Sequence, residues 1–149
     1  MKPFLDAGFL LALLIEMQGS RMAWQISRRF TDPLRLTHLQ RFLTENRLLR
    51  EQENPAAGDR ARATAANALQ NLHHYLDEMI FQPVHVDYDI AILLASQWQK
   101  ELGAPTPPAL LLFWPAVAVA VGASHFLSFD PRPRRLAKAA GLKLLPETL

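Results

Sequence analysis

The chain of 149 residues predicts an α/β fold: a three-layer sandwich with a central, mostly parallel sheet of four to five short strands flanked by helices. Three observations carry that expectation. The chain opens on a short apolar run, then Asp6, then a longer apolar run, which is the order of a strand, a cap and a covered helix. Extended segments then alternate with helical periodicity to the end of the chain. Finally, residues 109–121 are thirteen unbroken apolar positions that pass through Gly122 into an aromatic-rich run and stop at Asp130, as a buried helix feeding a buried strand would.

Taken in order, residues 3–6 read as the first strand and 7–17 as a helix apolar at nearly every position. Gly19-Ser20 punctuates, and 21–30 sets Met22, Ile26 and Phe30 on one helical face before Asp32-Pro33 ends it. Residues 34–37 are a second strand. The helix expected over 38–50 spaces Leu39, Phe42, Leu43, Asn46 and Leu49 at threes and fours along one face. Asn54-Pro55 reads as a cap and first helical residue, opening a long helix to Met79 with Ala65, Leu69, Leu72, Leu76 and Met79 as its apolar stripe. Gln82-Pro83 stops it, 84–86 is extended, and Asp87 or Asp89 caps a helix over 90–102. Thr106 and Pro107 are placed to cap and open the apolar helix. After Asp130, residues 136–140 form a last short helix and 142–145 a last strand.

Half the residues are apolar, enough for one substantial core, so residues 1–149 read as a single domain. There are no cysteines, which excludes disulfides, thiolate metal sites and cysteine nucleophiles, and suits a cytoplasmic protein. Asp6, and Glu16 and Gln18 behind the first apolar run, argue against a signal peptide. Residues 109–129 match a bilayer in length but carry Pro115, Ser124 and His125 and end on an acid, which favours a core helix and strand over a membrane segment. The net charge of +2 hides a segregation: residues 1–50 carry eight Lys or Arg against four acids and 102–149 five against two, while 51–101 carry three against eight. A fold that joined the two ends would own a basic face able to attract phosphate, although solvated surface arginines give the same counts.

Three motifs in order, FLDAGFLLALL, LTHLQRFLTENRLL and GASHFLSFD, resemble the PIN-domain family over nearly the whole chain, in particular the VapC-like ribonucleases of toxin-antitoxin pairs. The resemblance implies a parallel sheet with flanking helices, a homodimer, an antitoxin-like protein partner, RNA as substrate, and Mg²⁺ or Mn²⁺ held by three or four carboxylates. Hard divalent cations take oxygen ligands, so such a site needs converging Asp and Glu to hold metal-bound water against a phosphodiester.

Matched position by position, Asp6 corresponds to the first acid and Asp130 to the last, in Ser128-Phe129-Asp130. The second and third acids fall on Leu43 and Leu111, and the histidine that often follows the third falls on Trp114. Glu45 lies about 200° around the helix from Leu43, and no acid stands between Glu101 and Asp130. Pro115 removes the helical hydrogen bond to the carbonyl of Leu111, where a bend is expected. The implied outcome is a ribonuclease-like domain with an impaired acidic site, binding little or no metal. Its remaining role would be binding: RNA through Arg35, Arg41, Arg47, Arg132, Arg134 and Arg135, or a protein. An active Mg²⁺- or Mn²⁺-dependent ribonuclease toxin, or an interaction module with no RNA role, are the alternatives. Without the resemblance, Asp6 and Asp130 read equally well as helix caps. His73 and His74 point about 100° apart and do not suit one metal, and Ser128 lacks the partners of a nucleophilic serine.

Overall fold

The computed structural model of the chain describes residues 2–149. Five parallel strands lie in the order β3-β2-β1-β4-β5: β1 (Pro3–Leu5), β2 (Leu34–Thr37), β3 (Phe81–Val84), β4 (His125–Leu127) and β5 (Lys143–Leu145). All neighbours being parallel, every connection must cross a face of the sheet, and among the described residues seven helices supply those crossings. They are α1 (Ala7–Leu14), α2 (Ser20–Ser27), α3 (His38–Glu53), α4 (Asp59–Asp77), α5 (Tyr88–Leu102), α6 (Ala109–Ala120) and α7 (Pro131–Ala139).

Strand alternation divides the core in two. Leu5, Leu36 and Leu127 face a layer built on Phe9, Leu10 and Leu13 of α1, Ile26 of α2, Leu48 of α3 and Leu72 of α4. Phe4 and Phe126 face the other way, onto Ala91 of α5, Trp114 and Val117 of α6 and Ala137 of α7. Phe4 and Phe126 are paired in register and stack with centroids 6.2 Å apart. Each fully buried Phe or Leu of this kind contributes about 1.5–3 kcal/mol. The expected α/β sandwich is therefore the observed fold, with every strand parallel. Among the described residues no helix is long and apolar enough to cross a membrane.

Several boundaries differ from expectation for local reasons. Asn54 does not open α4: it closes α3, and its side chain accepts the Ala56 amide at 3.0 Å, an Asx turn that delays α4 to Asp59. The third strand is Phe81–Val84 rather than 84–86, with Pro83 inside it, tolerated because β3 is an edge. Asp130 caps α7 directly, so the last helix starts at Pro131 rather than 136. Helix α6 continues through Pro115, leaving the Leu111 carbonyl without its usual amide partner. The largest difference is in α3: its buried row is Gln40, Thr44 and Leu48, while Phe42, Leu43 and Leu49 face outward.

Candidate acidic crevice

The strand order reverses between β1 and β4, since β2 and β3 lie to one side of β1 and β4 and β5 to the other. Ligand sites of open parallel sheets form beyond the carboxyl ends of the strands at such a reversal. Asp6 follows β1 and Asp130 follows β4, so the two acids 124 positions apart in the chain meet at this place. A cleft of about 390 Å³ lies between them. Its acidic floor is Asp6 and Asp130; its walls are Leu110, Leu111 and Trp114 of α6, Phe129, Pro133, Met17 and Gln18, with Ala7 and Gly8 at the start of α1.

Asp6 is buried, 6% exposed, and both its oxygens are used. Oδ1 accepts the Phe9 amide at 2.7 Å, capping α1, and Oδ2 accepts the Ser128 hydroxyl. Ser128 also accepts the Asp130 amide at 3.0 Å, so one hydroxyl ties the ends of β1 and β4 together. Burial pushes the Asp6 carboxyl above its ordinary value; the hydrogen bonds from Ser128 and Phe9 oppose this, and the Asp130 charge adds to it. A Cβ at Gly8 would stand 3.5 Å from Asp6 Oδ1, so the residue at this position overhangs the acid.

Asp130 has the opposite electrostatics. Arg132 grips it through Nε at 3.0 and 3.2 Å and Nη2 at 2.6 Å, and its amide donates at 2.9 Å. The Arg132 side chain, aided by that amide, holds the Asp130 carboxyl below its ordinary value against the effect of partial burial. The backbone is held by further aromatic packing: Phe9 and Phe129 stack at 5.1 Å, and Gly19, with φ of 95°, brings the start of α2 against the Phe129 ring.

Of the two leucines matched to acids, Leu111 lines the cleft, whereas Leu43 does not and is 42% exposed on α3. Gln40 is the α3 side chain that reaches the end of β1: Nε2 donates to the Leu5 carbonyl at 2.6 Å while Oε1 accepts the Thr37 amide at 3.0 Å. Periodicity could not single out Gln40, but the capping pattern Thr37-x-x-Gln40 could have.

The six arginines expected to face RNA are dispersed. Arg134 is buried, donating to the Ser128 carbonyl at 2.8 Å and the Pro146 carbonyl at 2.6 Å. Arg35 donates to the Val121 carbonyl at 2.6 Å from a half-buried position, tying β2 to the end of α6. Both belong to the framework, because inward-facing carbonyls take their guanidinium protons. Arg132 is on Asp130, and Arg41 is paired with Glu45 at 2.8 Å. Arg47 lies along a separate groove of about 660 Å³ between α1, α3 and α4, and Arg135 is exposed on α7. His125, at the opposite end of β4, is held below its ordinary value by burial and by Lys143. Among the described residues no group of three His, Cys, Asp or Glu is placed to share a metal.

A scan against family models and a search of curated proteins found no match to the chain.

Proposed function

We propose that the chain is a VapC-like PIN domain whose acidic site has been emptied, and that its crevice now binds a protein segment rather than cleaving RNA. The observation that carries this is Leu111: it stands in the wall of the cleft at the position matched to the third acid, beside Trp114, over two carboxylates already committed to other partners. A Mg²⁺ or Mn²⁺ ion wants close to six oxygens, and this donor set does not fit one. Asp6 spends its oxygens on Ser128 and the Phe9 amide, Asp130 spends its own on Arg132, and α6 offers aliphatic and indole surface. An apolar side chain of a partner fits the cleft, since Leu110, Leu111, Trp114 and Phe129 offer it apolar surface. RNA is the weaker ligand, since Arg35 and Arg134 point inward and Arg132 and Arg41 are paired with acids.

The meeting of Asp6 and Asp130 at the strand reversal favours one other reading, an active ribonuclease that completes its ligand set from elsewhere. Ribonuclease assays in Mg²⁺ and Mn²⁺ separate the two, run on the native chain beside Asp6→Ala. The expected result is no cleavage above the Asp6→Ala background, and no heat of Mn²⁺ binding by calorimetry, whereas Leu111→Asp binds Mn²⁺. Cleavage by the native chain that Asp6→Ala abolishes would establish the ribonuclease instead.

A further inference from the structure

Met79 stands where glycine is the usual residue. It follows the last turn of α4 with φ of 57°, and the amide of Ile80 donates back to the Tyr75 carbonyl at 2.9 Å, the hydrogen bond that closes a helix on a left-handed residue. Every other positive-φ position among the described residues, Gly19, Gly103, Gly122 and Gly141, is a glycine, which takes that conformation without the clash a Cβ meets. Burial does not offset the strain, because Met79 is 55% exposed. The side chain instead walls a cavity of about 390 Å³, which opens between the end of α2, the loop into β2 and the end of α4, at the opposite end of the strands from the acidic crevice. Trp24, Phe30 and Leu34 share its apolar lining with Met79, and Arg28 and Asp32 bring charge. Both rings are braced by others: Trp24 meets Tyr75 edge to face at 5.3 Å, and Phe30 meets His125 in the same way at 5.5 Å. Arg28 forms no ion pair among the described residues.

We propose that this cavity binds a free aromatic amino acid, with its ring among Trp24, Phe30 and Met79, its carboxylate on Arg28 and its ammonium beside Asp32. The site does not depend on what the acidic crevice binds. A planar ring suits walls that are aromatic and thioether, since aromatic rings attract one another edge to face and a methionine sulfur attracts a ring edge. The volume is near the lower end for small-molecule sites, which matches a single amino acid rather than a peptide or a nucleotide. The unlike charges of Arg28 and Asp32 select a zwitterion over an aromatic acid or an aromatic amine, because a ligand with one charge would satisfy one of them and be repelled by the other. The same requirement excludes a residue inside a peptide, which carries neither charge, and a residue at a peptide terminus, which carries one.

Calorimetry of the full chain with L-phenylalanine and with L-tryptophan should show binding at one site at millimolar concentration or below. L-phenylalanine amide and N-acetyl-L-phenylalanine, each lacking one of the two charges, should bind about tenfold more weakly. Arg28→Ala should also lose about tenfold for L-phenylalanine, with an unchanged thermal midpoint in the absence of ligand. Met79→Gly should act in two opposite directions: the thermal midpoint of the ligand-free chain rises by about 2–4 °C as the strain is relieved, while L-phenylalanine binds roughly fivefold more weakly for want of an apolar wall. No heat from either amino acid, equal binding of the singly charged analogues, or a Met79→Gly chain that binds L-phenylalanine as tightly as the native one would each overturn the proposal. If Met79→Gly fails to fold, Arg28→Ala and the two analogues still decide it.

Discussion

The two carboxyls of the crevice are shifted in opposite senses although one hydroxyl joins the Asp6 side chain to the Asp130 backbone. Asp6 has a folded value raised above its unfolded one, so its contribution to stability is present below the unfolded value and lost as pH rises through the folded one. Asp130 is lowered by Arg132, so its contribution is present above the unfolded value and lost as pH falls through the folded one. Asp6→Asn, which keeps an acceptor for the Phe9 amide, should therefore gain stability over the native chain as pH rises from about 4 towards 8. Asp130→Asn should lose stability at neutral pH and converge on the native chain in acid. Urea midpoints across that range read both effects. Arg134→Ala should cost about 3 kcal/mol in urea unfolding at neutral pH, because two inward carbonyls lose charge-assisted partners. At this scale the sequence marked Asp6 and Asp130 as acids following strands and as caps, and both are. Nothing in the sequence separated Arg134 from its exposed neighbour Arg135, since burial of a cation depends on which carbonyls the fold leaves beside it.

Among the elements, α3 shows what periodicity can and cannot decide. The spacing of Leu39, Phe42, Leu43 and Leu49 identified a helix and an apolar face correctly, but an apolar face turned to solvent has the same spacing as one turned to the core. The inward row is legible only through hydrogen bonding: Gln40 closes the cap with Thr37 and satisfies the Leu5 carbonyl one residue before Asp6. Gln40→Leu leaves both groups unpaired in a buried place, and should destabilise by about 2–4 kcal/mol, read as a lowered thermal midpoint with the fold retained. Strand β2 matches its expected limits because Asp32-Pro33 and the Thr37 cap bound it, whereas β3 hides behind a proline that only an edge can hold.

On the scale of the whole molecule, alternation of strands and helices was enough to predict the parallel sheet, but strand order was not, since no local pattern records that β4 pairs with β1 across about 120 positions. The order matters because it is what brings Asp6 and Asp130 to one cleft. A fragment of residues 1–122, which lacks β4 and β5, should show no cooperative unfolding transition by circular dichroism, because β1 would lose a neighbour and Phe4 its stacked ring.

The central position of β1 also bears on synthesis. Strand β1 is made well before β4, the strand that closes its second side, with about 120 residues translated between them. Until then the middle of the sheet is an open apolar seam beside an unpaired edge, so nascent chains should depend on chaperone shelter between the synthesis of the two strands, and pauses placed between them should cost more yield than pauses placed after β4.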